Sequence, residues 1–178
     1  PLVDTPLINH LIWEAAKAGA TRVHIVLSER KKVFLEQFIG GNVIHGNEVR
    51  VDLPRESLSL GVEGVEIILH VQTTAGGVAD AISVAIKQVE GPVLVLLGDM
   101  IIIDRHVSPK KSGVKDASGA SLELVKLFER TGIPSVGICP VDSENISKYG
   151  VVRLSGNQVF EIIEKPSESE APSKYVLC

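Results

Sequence analysis

Aromatic residues make up only 4% of this 178-residue chain, which leaves few rings on which nucleic-acid bases could stack. Cationic side chains hold no excess either: 18 Lys and Arg against 22 Asp and Glu give a formal charge of −4. A broad basic surface is excluded, so nucleic acid is not expected as a partner. No apolar run reaches the roughly 18 residues that suggest a membrane span, and the N-terminus lacks the basic and apolar regions of a signal peptide. No membrane partner is expected. The two cysteines, Cys139 and Cys178, have no metal-ligand spacing and cannot build a disulfide framework, which points to a reducing, cytoplasmic setting. His10, His24, His45, His70 and His106 likewise lack ligand spacing, and most of them are expected at surfaces or edges. Neither GxGxxG nor GxxxxGK[ST] occurs, so neither a dinucleotide fingerprint nor a P-loop is present.

What the chain does have is apolar content, 44% of its residues. At this length it is expected to form one domain, 1–178, that buries about 70% of the unfolded surface. Leu7, Ile8, Leu11, Ile12, Ala15 and Ala16 recur at helical spacing before Gly19, a common left-handed stop. Val23 to Leu27 reads as a buried strand, Glu29 to Phe38 as a short helix, and the segment onward to Gly64 is irregular. Glu66 to Val71 is the next predicted strand, and Val78, Ile82, Ala85, Ile86 and Val89 form a second helical stripe. Ser108 to Gly119 reads as a loop, Ser121 to Arg130 as a surface helix and Ser135 to Val141 as a strand. Gly150 to Leu154 and Gln158 to Ile163 flank Ser155, Gly156 and Asn157, a strong hairpin signal. Strands alternating with helices, then a hairpin, predict an α/β fold: a Rossmann-like, three-layer, mostly parallel sheet with an antiparallel addition. Both ends are expected to be incomplete. Pro1 stands where an initiator Met would, and the run Tyr175 to Cys178 stops inside an expected strand; the apolar tail after Pro172 is a candidate for an oligomer interface.

Four stretches could carry chemistry. Val93 to Asp104, VLVLLGDMIIID, opens with five aliphatic residues, which predicts a strand covered on both faces. Gly98 and Asp99 would then stand at its carboxyl edge, where open α/β sheets place ligands. A carboxylate there could share a Mg²⁺ with substrate phosphates, although it could equally begin a turn. Gln72 to Ile82, QTTAGGVADAI, joins a strand to a helix, and Gly76 and Gly77 would allow close approach to the first free amides of that helix. Gln72 can both donate and accept, as reading a nucleobase requires; the alternative is a plain glycine turn. Glu164 and Lys165 end a strand before Pro166. Such neighbours point to opposite faces, so they need not bridge each other; they suit a sugar hydroxyl and a phosphate, or a solvated strand end. Tyr149 and Gly150 begin a hairpin strand, where glycine marks close ligand approach or a bulge.

In order and spacing these segments resemble the sugar-1-phosphate nucleotidylyltransferases over nearly the whole chain. PLVDTPLINHLI is similar to the family's PVxDKPLIxxxI segment, QTTAGGVADAI to its base-binding QxxPxGxAxAI, LGDM to its metal-binding LGD, and KYGVV with IIEKP to its sugar-binding elements. The tail EKPSESEAPS resembles the EKPxxEEAPSN of uridylyltransferases acting on glucose 1-phosphate. The resemblance implies an enzyme that joins a hexose 1-phosphate to a nucleoside triphosphate, with UTP favoured and dTTP the nearest alternative. By the same resemblance Gln72, Gly76, Gly77 and Gly98 would bind the nucleotide and Asp99 the Mg²⁺. Tyr149, Gly150, Glu164 and Lys165 would line the sugar pocket, with Glu164 on hydroxyls and Lys165 on the phosphate. Relatives often assemble, so a homo-oligomer is a further expectation.

Departures from the pattern also count. The family's GxGTRLxP loop and its Lys would lie upstream of Pro1, and a second metal-binding Asp beyond Cys178; the segment alone is therefore not expected to catalyse. Ala75 replaces the usual Pro, and Met100 the commoner Asp or Asn. A non-catalytic binding or regulatory module, such as the related structural subunits of translation-initiation exchange factors, stays open as a rival, and a Rossmann-type dinucleotide domain is a more distant one. Retention of Asp99, Glu164 and Lys165 favours the enzyme.

Overall fold

The computed structural model describes residues 6–31, 49–50, 62–87, 89–103 and 113–178. It divides into two compact units, Pro1–Leu122 and Glu123–Cys178. Most of the expected second helix, the irregular segment to Gly64 and the first part of the Ser108 loop lie outside the described residues; 29–31 are helical.

In the first unit, α1 (Leu7–Lys17) precedes β1 (Arg22–Ser28). Gly19 follows the helix with φ +95°, the left-handed stop expected there. β1 pairs in parallel with β3 (Glu66–Gln72) from Arg22↔Glu66 through Ser28↔Gln72, and the short β2 (Val49–Arg50) pairs antiparallel with β3. Because alternate strand residues share a face, Val23, Ile25 and Leu27 line up with Ile67 and Leu69. On that face Ile12, Ile25, Ile67 and Leu69 are buried together, with Ile8 and Val62 packed around them. α1 also carries a buried carboxylate, Glu14, which accepts a 2.6 Å hydrogen bond from Ser121 Oγ, while the Lys17 ammonium donates to the Ala117 carbonyl. A buried charge must be hydrogen-bonded to be tolerated, and these bonds tie the helix to the residues around a short 3₁₀ turn, Val114–Asp116. α2 (Gly77–Ile86) leaves the end of β3 and packs on both β1 and β3.

The opposite set of β1 and β3 residues holds a surprise. His70 is 1% exposed and therefore belongs to the core, an exception to the surface or edge setting expected of most histidines here. His24 Nδ1 lies 2.8 Å from His70 Nε2 with the rings stacked, so one imidazole donates to the other. Composition could not reveal this, since the pairing of His24 and His70 depends on a strand register set 46 residues apart.

The second unit begins with residues of α3 (Ala120–Thr131) and is built on a four-stranded antiparallel sheet in the order β4-β7-β5-β6. These strands are β4 (Ile138–Pro140), β5 (Gly150–Ser155), β6 (Gln158–Glu164) and β7 (Tyr175–Leu177). β5 and β6 form the expected hairpin around Gly156, whose φ is +60°. Ile146, Val151 and Val176 form the core, with Cys139, Val141, Tyr149 and Ala171 packed against it. The tail Tyr175–Leu177 is an internal strand of this sheet, with Val176 1% exposed and Tyr175 and Leu177 half-buried. The two cysteines are free.

One prominent expectation fails. Val93 to Leu97 is not a strand covered on both faces: it joins no ladder among the described residues, and Val93 and Val95 are each 49% exposed. Leu94 and Leu96 are the better-buried alternate positions. An aliphatic run records a demand for burial, whereas a ladder also needs a partner strand, which the run itself cannot specify.

Two outcomes test this packing. Ile12→Ala should cost about 2–5 kcal/mol, measured as a lowered urea midpoint at unchanged slope. Burial, aided by Arg22, holds the His24 imidazole below its ordinary value of 6.5. The folded chain therefore binds fewer protons than the unfolded chain below that value, and stability falls as pH drops through it. Urea titrations from about pH 7.5 to 5.5 should show that decline, and His24→Asn should flatten it.

Candidate functional site

Two groups of residues singled out in the sequence are assembled, one in each unit. The first lies where β3 hands over to α2. Gln72 is the last residue of β3 and half-buried. Its Nε2 donates to Asp80 Oδ2 at 2.5 Å and to the Gly77 carbonyl at 3.2 Å. Gly77, the first residue of α2, has φ +85°, a conformation that favours glycine. A Cβ placed on it would meet nothing within 4 Å, so the backbone there is open to approach. Gly76 is needed for a different reason: a Cβ on it would lie 2.7 Å from Asp80 Cβ and 2.8 Å from Asp80 Cγ. The Asp80 side chain thus folds back over Gly76, across the start of its own helix.

That placement changes the expected chemistry of the loop. A helix start attracts anions, but here a carboxylate of the protein already occupies its first turn. The loop suits a polar, uncharged edge better than a second anion. Asp80 was not among the residues singled out in the sequence. The available signal was an acid in the first helical turn behind two glycines, at a distance of eight residues from Gln72.

Gly98 and Asp99 sit in an exposed turn closed by a 3.2 Å bond from the Met100 N–H to the Leu97 carbonyl. The expected strand end is therefore a turn, following chain that joins no ladder among the described residues. Asp99 makes no hydrogen bond or ion pair with a described residue, and a Cβ on Gly98 would meet nothing within 4 Å. One exposed carboxylate beside open backbone fits a hard cation whose remaining ligands come from substrate phosphates and water. Among the described residues no three His, Cys, Asp or Glu side chains gather into a metal cage.

The second group lies at one end of the β5–β6 hairpin. Gly150 opposes Glu164 across the ladder, and a Cβ on Gly150 would lie 3.1 Å from Glu164 Oε2 and 3.4 Å from Leu177 Cδ1. This glycine marks a close approach, and the atom approaching it is the protein's own carboxylate. The bulge sits elsewhere, between Arg153 and Leu154. Tyr149 packs against the core of this unit, and its carbonyl accepts from the Lys165 N–H at 3.0 Å. Lys165 follows β6 with φ +48°, left-handed for a residue that carries a Cβ. That rotation ends the strand alternation, and Nζ comes 3.9 Å from Glu164 Oε1. With the two side chains 64% and 71% exposed, this contact stabilises the fold little. Both heads remain available to a ligand.

Comparison with known proteins follows the same lines. The family model described as Nucleotidyl transferase matches residues 1–177. A UTP–glucose-1-phosphate uridylyltransferase of Staphylococcus epidermidis is 28% identical over 187 residues, covering 99% of this chain and 60% of the relative. One from Bacillus subtilis is 28% identical over 183 residues, covering 98% and 57%. The chain thus spans about three-fifths of the length of the curated relatives it matches. A crystal structure of UDP-glucose pyrophosphorylase complexed with UDP-glucose superposes with a TM-score of 0.75 at 24% identity, covering 99% of this chain and 63% of that one. A UDP-glucose pyrophosphorylase from Acinetobacter baumanii gives 0.73 at 20% identity, covering 99% and 62%. These likenesses establish the mixed α/β fold.

The left-handed glycine of the first group yields a measurable expectation. Gly77→Ala should lower unfolding stability by about 1–2 kcal/mol through backbone strain alone, since no neighbour obstructs the added methyl.

Proposed function

We propose that this chain, which belongs to the nucleotidyl transferase family, forms the core of an enzyme that joins a hexose 1-phosphate to a nucleoside triphosphate. The products would be an NDP-sugar and pyrophosphate, with UTP the favoured nucleotide. The observation that carries this reading is the family match over residues 1–177, in which polar groups of both assembled sites are solvent-accessible. The relatives named for uridylyl transfer to glucose 1-phosphate support the choice of base and sugar.

In this reading the β3–α2 loop receives the base on Gln72 and the Gly77 backbone, with Gly98 giving the nucleotide room; the space over Gly76, expected to serve the nucleotide, is taken by the Asp80 side chain. Glu164 takes sugar hydroxyls beside Tyr149 and Gly150. Lys165 takes the phosphate of the sugar 1-phosphate. An oxygen of that phosphate attacks the α-phosphorus in line; a new P–O bond forms, the bond to the β-phosphate bridge breaks, and pyrophosphate departs. No covalent intermediate with the protein is required, because positioning and neutralised charge lower the barrier. Lys165 offsets repulsion between the two anions. Asp99 would hold a Mg²⁺, which would supply further neutralisation of phosphate charge when bound. No described helix is long and apolar enough to cross a membrane, and a cytoplasmic setting suits the two free thiols.

A pyrophosphate-release screen of the natural polypeptide carrying this sequence tests the proposal, with nucleoside triphosphates paired against hexose 1-phosphates. UTP with one hexose 1-phosphate should give the highest rate; nucleotide binding without release in every pairing would favour a non-catalytic module. Asp99→Asn should cut turnover by about a hundredfold or more at near-wild-type stability, since it removes one charge without changing size. Lys165→Ala should raise KM for the sugar phosphate about tenfold, the loss of one charge-assisted hydrogen bond, and leave KM for the nucleotide nearly unchanged.

A further inference from the structure

We infer that Asp80 is a positioning residue that makes the Gln72 amide an acceptor only, and that this arrangement selects a base with a ring N–H over one with a bare ring nitrogen. The inference rests on the proposed placement of the base against Gln72.

A primary amide carries two donor protons and one acceptor oxygen, and without restraint it can turn either end toward a ligand. Here both groups within reach of its nitrogen are acceptors: Asp80 Oδ2 at 2.5 Å and the Gly77 carbonyl at 3.2 Å. Turning the amide over would set its oxygen against two other oxygens. Both amide protons are therefore engaged within the protein, and Oε1 is the group left to face a ligand.

Gly76 allows this arrangement, because any larger residue would push on Asp80 Cβ and Cγ. The shared burial of Gln72 and Asp80, both of them half-covered, limits competition from water. A fixed acceptor complements the N3–H of uracil or thymine. Cytosine in the same ring placement brings an unprotonated N3 to Oε1, oxygen lone pair against nitrogen lone pair, and leaves a polar group unpaired. Asp80 touches no substrate in this scheme. Its effect reaches the base through the orientation of Gln72.

The experiment compares kcat/KM for UTP and CTP in the natural polypeptide and its variants, with the hexose 1-phosphate saturating. Asp80→Ala removes the shorter of the two bonds that hold Nε2 and leaves only the exposed 3.2 Å contact with the Gly77 carbonyl, which water can replace when the amide turns over to present Nε2 to cytosine N3; the UTP/CTP ratio should then fall about tenfold, one hydrogen bond's worth of discrimination. KM for the sugar phosphate should not move. Asp80→Asn can still offer Oδ1 to Nε2 while the Gly77 carbonyl continues to demand a donor, and it should keep the wild-type ratio. Gly76→Ala, which displaces Asp80 without deleting it, should reproduce the fall and stands in if Asp80→Ala does not fold. In a Gln72→Ala background, Asp80→Ala should change the ratio no further. An unchanged ratio in Asp80→Ala or Gly76→Ala with transfer intact overturns the inference, as does a ratio in Asp80→Asn as low as in Asp80→Ala. Absence of any transfer by the wild type overturns instead the reading on which the inference rests.

Discussion

The parallel pairing of β1 with β3 is the interaction on which the first unit depends. Its register puts Val23, Ile25 and Leu27 on the face that meets α1 and carries β3 to its last residue at Gln72. A slip by one residue would reverse both faces. Ile67 and Leu69 would leave the core, and His70, now paired with His24, would turn toward Ile12. The hydrophobic register and the place of Gln72 are thus fixed by the same seven pairs.

Both assembled sites use glycine to bring a carboxylate close to backbone. At the β3–α2 junction the missing side chain of Gly76 admits Asp80, and at the β5–β6 hairpin that of Gly150 admits Glu164. The consequences differ. Asp80 is spent on another side chain of the protein, Gln72, whereas Glu164 keeps most of its surface in water beside the Lys165 ammonium. One acid organises; the other remains available for contact with a ligand.

Much of the architecture was legible because it is written in local periodicity. The stripe of Leu7, Ile8, Leu11 and Ile12 marks α1, the Gly156–Asn157 turn marks the hairpin, and β1, β3 and α2 fall where apolar spacing places them. The misreadings share a cause, dependence on partners distant in sequence. Val93 to Leu97 has the composition of a central strand but joins no ladder among the described residues, and His70 is buried by a register no motif announces. The candidate residues could be singled out by type, while their local surroundings depended on geometry. Gly150 could have been a bulge or a close approach until Glu164 was found over it, and Asp80 was not among the residues singled out.

Lys165 holds a backbone conformation that glycine or asparagine would occupy with less strain, at a cost of about 1–2 kcal/mol for a residue with a full side chain. Conformational comfort and charge therefore pull in opposite directions at this position. A relative with glycine here would be expected to gain stability at the hairpin end and to lose the amine. Whatever holds Lys165 in this conformation therefore keeps an exposed ammonium at the hairpin end at the expense of local backbone comfort.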